Sequence, residues 1–248
     1  MQKIVVEPEK LWQNLIMKKG TLFLISTPIG NMEDITCRAV RTLKEVDIIV
    51  AEDTRRTRKL LSHYDIHKKI ISYHDYNKIN VSKKILSFLL SDKNVGLVSD
   101  AGTPCISDPG FYLVRIAIEN DIKLVSLPGP SAILASLIIS GLPPDRFIFE
   151  GFLPRSKGKK RKRLEKLAEE TCTLILFESP HRIQKTLEEI YSIFGNRKVV
   201  IAREITKIYE EVIRTELQHL NAIKDFKKPK GEITLILEGK PKGKPHKQ

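Results

Sequence analysis

The chain has 248 residues, of which 41% are hydrophobic, and a formal net charge of +13 at pH 7. This length allows a sizeable core in one large or two small domains. No apolar run approaches the length of a membrane span, and the first residues lack the apolar core of a secretion signal, so a cytoplasmic protein is expected. The positive charge indicates a polyanionic partner, with nucleic acid first and an anionic membrane surface second.

Metal and nucleotide motifs are missing from the sequence. Cys37, Cys105 and Cys172 are odd in number and widely spaced, which favours reduced structural thiols. The six histidines form no HExxH motif, so no metal site is predicted. The absence of GxGxxG, GxxxxGK[ST] and GxSxG argues against dinucleotide, P-loop and serine-hydrolase sites.

Residues 21–130 alternate between short apolar runs and helical patterns, which predicts an α/β domain with a mostly parallel sheet. The predicted strands are Leu22–Ser26, Ile48–Ala51, Ile70–Tyr73, Val95–Ser99 and Lys123–Leu127. Helices are predicted after a cap at Asn31 or Asp34, near Thr54, through Ile85–Leu90 and over Phe111–Glu119.

A second α/β domain is predicted over residues 131–240. It begins with the helix Ala132–Ser140 and a hinge or linker at Gly141–Asp145. The predicted strands are Phe147–Phe152, Thr173–Phe177, Val199–Ala202, Glu210–Thr215 and Ile233–Leu237, and the predicted helices are Lys159–Glu170, Arg182–Phe194 and Leu217–Phe226. A hairpin between the third and fourth of these strands makes the sheet mixed. Residues 1–20 are predicted to be an N-terminal extension and residues 241–248 a disordered basic tail.

Two adjacent strand ends carry glycine and proline loops that could bind a small molecule. Asp100–Pro104 follows one strand, and Pro128–Ser131 follows the next. Ligands of open α/β sheets bind beyond the carboxyl ends of the strands, where such loops offer amides, hydroxyls and a carboxylate. The alternative is that both loops are merely tight turns.

Six motifs occur in order along residues 21–239, namely TPIGNMEDIT, AEDTRRTRKLL, LVSDAGTPCISDPG, LPGPSA, FESPHR and GEITLILEG. Together they resemble the tetrapyrrole-methylase superfamily of S-adenosylmethionine-dependent methyltransferases. The second and third motifs are similar to those of its ribosomal RNA branch. Members of that branch methylate a cytidine ribose 2′-hydroxyl in the decoding region of the small ribosomal subunit.

The resemblance implies a homodimer of two-domain subunits, with S-adenosyl-L-methionine held in the cleft between the domains. It implies ribosomal RNA or the small subunit as partner, and neither a membrane nor a metal. Carried over by position, the donor residues would be Asp100, Ala101, Gly102, Thr103, Ser131, Ala132, Phe177, Ala202 and Gly231. For Phe177, plain core packing is the alternative.

Methylation of a hydroxyl requires a group that takes or strongly binds its proton. Candidates at predicted strand ends are Asp53, Asp100, His74 and Glu178. Asp53 could instead cap the following helix, and Glu178 could pair with Arg182. The sequence leaves the base open. We expect Asp53 to act first and His74 second, because an acidic pair beside two arginines is unusual at a helix start.

Two clusters of cations are predicted to bind RNA phosphates. One is a run of seven within nine residues, Arg155, Lys157, Lys159, Lys160, Arg161, Lys162 and Arg163. The other is Arg55, Arg56 and Arg58 on a strand-end loop. A solvated helix face is the alternative for the longer run. Tyr73 and Tyr76 could stack on a flipped base.

Two other functional classes remain at this point. A small-molecule methylase acting on a porphyrin-like ring would need a few arginines for the substrate carboxylates, but not this many clustered cations. A non-enzymatic RNA-binding protein would have no use for the paired glycine and proline loops. The sequence therefore favours the RNA methyltransferase.

Overall fold

The structure is a computed structural model that describes residues 18–222 and 231–241. Its contacts divide the chain into two compact units. Of the described residues, one unit contains those up to Pro28 together with Met32–Pro130, and the other contains Ile29–Asn31 together with those from Ser131 onward. The predicted N-terminal extension and basic tail lie outside the described residues, apart from residues 18–20 and 241. The domain ends predicted at residues 20 and 240 stay predictions.

The first unit is built on a five-stranded sheet of short apolar strands. They are β1 (Thr21–Ile25), β2 (Ile48–Ala51), β3 (Lys69–Ser72), β4 (Val95–Val98) and β5 (Lys123–Leu127). The strand order is β3-β2-β4-β1-β5, and every neighbouring pair is parallel. The carboxyl ends of all five strands therefore meet at one edge, as the alternating pattern predicts.

Helices cover both faces of this sheet, which is why its strands read as continuous apolar runs. They are α1 (Cys37–Glu45), α2 (Thr54–His63), α3 (Lys78–Leu90) and α4 (Phe111–Glu119). In β2, Val50 packs in the same cluster as residues of α3 and α4, and its neighbour Ile49 packs with residues of α1 and α2.

The start of α1 differs from the prediction. A short 3₁₀ helix, Met32–Asp34, precedes it, and the N-cap is Thr36 rather than Asn31 or Asp34. The Ala39 amide donates a hydrogen bond to Thr36 Oγ1 at 3.0 Å. Because Asp34 lies within the 3₁₀ turn, its side chain comes too early in the chain to cap α1.

The second unit contains a mixed five-stranded sheet. Its strands are β6 (Phe147–Phe152), β7 (Thr173–Glu178), β8 (Lys198–Arg203), β9 (Glu211–Glu216) and β10 (Ile233–Leu237). The strand order is β6-β7-β10-β8-β9, with β6 and β7 parallel and the other pairs antiparallel. The predicted hairpin of β8 and β9 and the predicted mixed sheet are confirmed.

The helices of the second unit are α5 (Ala132–Ser140), α6 (Lys157–Leu167) and α7 (Ile183–Phe194). The predicted helix Leu217–Phe226 is a 3₁₀ helix over Leu217–Ala222, and its later residues lie outside the described ones. The predicted hinge at Gly141–Asp145 is wrong. Leu142 is buried in a core cluster, and Thr173 Oγ1 donates a hydrogen bond to the Pro143 carbonyl at 2.7 Å.

No helix within residues 18–222 or 231–241 combines the length and the apolar character needed to cross a membrane.

Candidate active site

The loops after β2 and β4 are joined at the carboxyl edge of the first sheet. These strands are neighbours, with Ala51 opposite Val98. The Asp53 amide donates a hydrogen bond to Asp100 Oδ1 at 2.9 Å, and Arg56 Nε lies 3.7 Å from Asp100 Oδ2. Asp100 therefore holds the start of α2 against the end of β4.

Asp53 is the N-cap of α2 and binds Arg55. Its Oδ1 accepts hydrogen bonds from the Arg55 amide at 2.8 Å and from Arg55 Nε at 3.1 Å, and its Oδ2 accepts one from Arg55 Nη2 at 2.9 Å. The hydrogen bonds from the Arg55 side chain, and then from its amide, hold the pKa of Asp53 well below its usual range. Both oxygens are occupied and the carboxylate is a weak base. This argues against the predicted catalytic role and matches the capping alternative.

Glu52 is a strand-end acid that is not among the proton acceptors predicted from the sequence. It follows β2 directly, between the ends of β3 and β4, and is half-buried. Among the described residues its carboxylate has no hydrogen-bond or ion-pair partner. Burial, and then the negative charges of Asp100 and Asp75, raise the pKa of Glu52, and the positive charge of Arg56 offsets them in part. The signal in the sequence that could have identified Glu52 is its position as the first polar residue after the apolar strand Ile48–Ala51.

His74 follows β3 and keeps a buried, unpaired nitrogen. Its amide donates a hydrogen bond to Asn77 Oδ1 at 2.9 Å, and Asn77 Nδ2 donates one to the Ser72 carbonyl at 3.1 Å, which fixes the turn. Within the described part of the chain, His74 Nδ1 has no hydrogen-bond partner. Buried polar atoms are seldom left unpaired, so this nitrogen is available to a ligand.

Glu178, another predicted candidate, is fully engaged inside the second unit. It is 3% exposed. Its Oε1 accepts a hydrogen bond from the Ser179 amide at 2.7 Å and lies 3.4 Å from Arg182 Nε, and its Oε2 accepts one from Thr186 Oγ1 at 2.6 Å. Glu178 is therefore a structural acid, as its pairing with Arg182 anticipated.

The loop after β4 is tied to the loop after β1. The amides of Thr27 and Gly102 each donate to the carbonyl of the other, at 2.9 and 3.0 Å. Gly102 has φ +78°, a conformation that favours glycine. Thr103 Oγ1 lies 3.2 Å from Ser26 Oγ. A rigid loop with the small residues Ala101 and Gly102 lets a ligand approach its backbone, so these residues fit the predicted donor site.

The donor residues predicted in the second unit occupy different environments. Ser131 is the N-cap of α5, with Ala132 as the first helical residue. The ring of Phe177 is half-buried, with its centroid 4.9 Å from that of Phe149. Ala202, at 1% exposure, belongs to the core, so its backbone is the part that can contact a ligand, and its place in the donor site stays a prediction.

Gly231 has φ +92° and lies against Glu204. This φ is strained for other residues, and a Cβ here would come within 2.3 Å of Glu204 Cδ and displace that carboxyl group, so glycine is favoured.

The cation run on α6 is only partly free. Lys160 is 6% exposed, with Nζ 3.0 Å from Glu189 Oε2 and 2.8 Å from Thr186 Oγ1. It is buried and paired, so we remove it from the predicted RNA-binding residues. Arg161 and Arg163 form ion pairs with Glu165 and Glu150. The exposed cations that lack an ion pair with any described residue are Arg155, Lys157, Lys159 and Lys162.

The two tyrosines after β3 have opposite environments. Tyr73 is 1% exposed, and its hydroxyl accepts a hydrogen bond from Ser82 Oγ at 3.2 Å, so the suggestion that it stacks on a base is wrong. Tyr76 is 100% exposed, with its ring centroid 6.0 Å from that of His74.

The described residues contain no group of three histidine, cysteine or acidic side chains placed to hold a metal ion. Burial, and then the charge of Asp108, raise the pKa of Cys105 to about 11, so this thiol stays protonated at neutral pH.

The family model of the Tetrapyrrole (Corrin/Porphyrin) Methylases matches residues 21–221. The chain belongs to this family. Two relatives are both named Ribosomal RNA small subunit methyltransferase I. The one from Halalkalibacterium halodurans is 50% identical over 89% of this chain and 76% of the relative, and the one from Thermotoga maritima is 48% identical over 89% and 99%. The resemblance drawn from the six motifs is confirmed, and the chain is a methyltransferase.

Solved structures share the fold at low identity. Uroporphyrin-III C-methyltransferase from Thermus thermophilus, complexed with S-adenosyl homocysteine, is 17% identical, with a TM-score of 0.64 over 88% of this chain and 97% of that one. A cobalt precorrin-4 methyltransferase is 18% identical, with a TM-score of 0.66 over 95% and 98%. The predicted fold class is confirmed.

Proposed function

We propose that the chain transfers the methyl group of S-adenosyl-L-methionine to a cytidine ribose 2′-hydroxyl in the decoding region of small-subunit ribosomal RNA. One observation carries the proposal: relatives named for ribosomal RNA methylation are about half identical over 89% of the chain. That stretch contains the strand-end motifs of both units. The exposed arginines and lysines of α2 and α6 suit a polyanionic substrate.

The donor supplies an electrophilic methyl group on a sulfonium, and the protein has to hold it in line with the attacking oxygen. We assign donor binding to the loop Asp100–Thr103 and to the start of α5 at Ser131 and Ala132, whose amides suit the carboxylate of the methionine moiety. In the second unit we assign it to Phe177, to the backbone of Ala202 and to Gly231. The hydrogen bonds between Thr27 and Gly102 support this assignment, because they fix the conformation of the loop Asp100–Thr103.

We assign the role of accepting the 2′-hydroxyl proton to Glu52 rather than to Asp53. The oxygen attacks the methyl carbon as its proton passes to the Glu52 carboxylate, and the carbon–sulfur bond breaks. S-adenosylhomocysteine leaves, and the proton then passes to solvent. Glu52 has no competing partner among the described residues, and its raised pKa makes it a better acceptor than Asp53. His74 Nδ1 is the second candidate because it is buried and unpaired.

The proposal includes a cytoplasmic enzyme that acts as a homodimer on ribosomal RNA or on the small subunit. Light scattering of the purified protein tests the dimer: a mass twice that of the 28.3 kDa chain supports it, and a monomer at working concentration removes it.

A transfer assay tests the function directly. Labelled S-adenosyl-L-methionine is offered with small subunits that lack the modification, with naked ribosomal RNA and with a porphyrinogen. We expect label in RNA, as 2′-O-methylcytidine after nuclease digestion. Label in the porphyrinogen alone would assign the chain to small-molecule methylation. RNA binding without transfer to any substrate would make it a binding protein.

A further inference from the structure

Helix α2 presents a cationic face that is free of acids. None of its ten residues is acidic. Its buried side consists of Thr57, Leu60 and Leu61, and Leu61 packs in one core cluster with residues of the first sheet. The opposite side is exposed to solvent and carries Arg55, Arg56, Arg58, Lys59, Ser62 and His63. Such a face is ordinarily a solvated helix surface, so further evidence is needed to assign it a ligand.

A shallow groove, wide open to solvent, lies on this face. It has a volume of about 530 Å³ and is lined by Arg55, Arg58, Lys59, Ser62 and His63. These positions follow the three- and four-residue spacing that aligns side chains on one side of a helix. Its lining contains three permanent cations, a hydroxyl and an imidazole, but no carboxylate. These groups match the charge and the hydrogen-bond acceptors of a sugar–phosphate backbone.

The cations on the exposed face of α2 differ in how they are paired. Arg55 is bound to Asp53 and Arg56 lies beside Asp100, so the first turn of α2 helps to organise the strand-end loops. Arg58 and Lys59, in the next turn, are exposed and have no ion pair with any described residue. Their charges are therefore available to an external anion.

The far end of the groove is held in place by packing. The ring of His63 stands edge-on to that of Tyr64, with the centroids 4.8 Å apart. Tyr64 is anchored in turn, because its hydroxyl donates a hydrogen bond to the Met32 carbonyl at 2.5 Å. His63 is thus oriented beside the groove although it is exposed.

The groove leads to the candidate active site. Helix α2 begins immediately after Asp53 and Glu52, and ten residues of α-helix span about 15 Å. An RNA strand lying along the groove therefore runs from His63 towards the carboxyl edge of the first sheet, where Glu52 lies.

We propose that this groove binds the phosphate backbone of the RNA substrate next to the target nucleotide. The residues that contact phosphate are Arg58 and Lys59, assisted by Ser62 and His63. This inference rests on the proposed function, since it takes the substrate to be RNA. Of these four residues, Arg58 is among the RNA contacts predicted from the sequence, and the structure adds Lys59, Ser62 and His63.

The test compares two double variants that remove the same charge. One is Arg58→Gln with Lys59→Gln in the groove. The control is Lys83→Gln with Lys84→Gln, a pair that is exposed on α3 and lies outside the groove. The affinity for small-subunit RNA is measured from low to moderate salt, and the affinity for S-adenosylhomocysteine is measured alongside it.

For the groove variant we expect the slope of log affinity against log salt to become shallower by about 1.4, because each lost contact to single-stranded phosphate removes about 0.7. The control should keep the wild-type slope, and both should bind S-adenosylhomocysteine normally. Lys59→Gln alone should give half the change, and exchanging the cations, Arg58→Lys with Lys59→Arg, should retain most of the slope.

A wild-type slope in the groove variant overturns the inference, as does an equal fall in both variants, which would show an effect of net charge alone. Methyl transfer by the unaltered protein separates this result from the proposed function. If that protein methylates ribosomal RNA while the groove variant binds RNA normally, only the groove assignment fails.

Discussion

The main-chain amide of Asp53 and the carboxylate of Asp100 are joined by a hydrogen bond of 2.9 Å, between loops that are 47 residues apart in the chain. This bond fixes the first turn of α2 relative to the end of β4. The same Asp100 carboxylate lies 3.7 Å from Arg56. Asp100 therefore both organises the strand-end loops and contributes charge to them.

Substituting Asp100 in two ways separates these roles. Asp100→Ala removes the acceptor of the Asp53 amide, which should lower the free energy of unfolding by about 1–2 kcal/mol and weaken donor binding. Asp100→Asn keeps an acceptor oxygen, so thermal stability should stay near wild type. Calorimetric titration of S-adenosylhomocysteine with Asp100→Asn then reports the contribution of the charge. Unchanged donor affinity in both variants would restrict Asp100 to a structural role.

Glu52→Gln should lower the rate of methyl transfer by about 10²–10⁴ at saturating RNA, because it removes the proton acceptor. In the wild type the rate should rise with pH as Glu52 loses its proton, and the raised pKa places this rise above the range of an ordinary glutamate. In Glu52→Gln this rise of the rate with pH should disappear. Asp53→Asn is the control, and a rate loss there equal to that of Glu52→Gln would contradict the assignment.

The same pKa shift predicts an effect on stability with a defined sign. The folded protein holds the Glu52 proton more tightly than the unfolded chain does, since the folded pKa is raised. The resulting stabilisation is complete at low pH and is lost as the pH rises through the folded pKa. At neutral pH, Glu52→Gln should therefore raise the melting temperature. An unchanged or lower melting temperature would argue against the half-buried, partner-free environment of this carboxylate.

Lys160 and Lys159 are adjacent in sequence but should respond differently to substitution. Lys160→Met breaks the buried contacts with Glu189 and Thr186 and should lower the free energy of unfolding by about 1.5–3 kcal/mol. Lys159→Met, on the exposed side of α6, should change it by less than about 0.5 kcal/mol. Urea denaturation measures both. An equal loss in the two variants would mean that the buried network does not form.

Tyr76 should act as a stacking surface for a nucleotide base, because its ring is fully exposed beside His74. Tyr76→Ala should weaken RNA binding by about 1–3 kcal/mol, a typical contribution of one base–aromatic stack, while Tyr76→Phe retains the affinity. Both variants should melt as the wild type does. Normal RNA affinity in Tyr76→Ala would remove this residue from the RNA site.

Much of the secondary structure follows from the sequence alone. The strands Ile48–Ala51 and Ile233–Leu237 and the helix Phe111–Glu119 match their predicted bounds, because continuous apolar runs between turn residues have few alternatives. The helix predicted at Lys159–Glu170 spans Lys157–Leu167 instead. Its first turn could not be located from the sequence, because a run of lysines and arginines contains no apolar residue that would indicate where the helix begins.

The strand-end motifs also identified the family correctly, and the parallel order of the first sheet explains why. When all the strand ends meet at one edge, chemistry concentrates in a few short loops whose residues can be recognised in the sequence. The sequence could not show which acid in such a loop is free, because that depends on its neighbours in space. Arg55 occupies Asp53, and no described residue pairs with Glu52.

Residue type and position in the chain therefore determined the fold class, the family and the edge of the sheet that carries the site. Tertiary packing alone decided the role of each side chain, because burial and pairing depend on contacts between distant segments. Lys160 shares a helix face with Leu164 and Leu167, but only the packing of α7 supplies Glu189 as its partner. In the same way, Tyr73 is enclosed under α3 and Tyr76 is left in solvent, although they are only three positions apart in the chain.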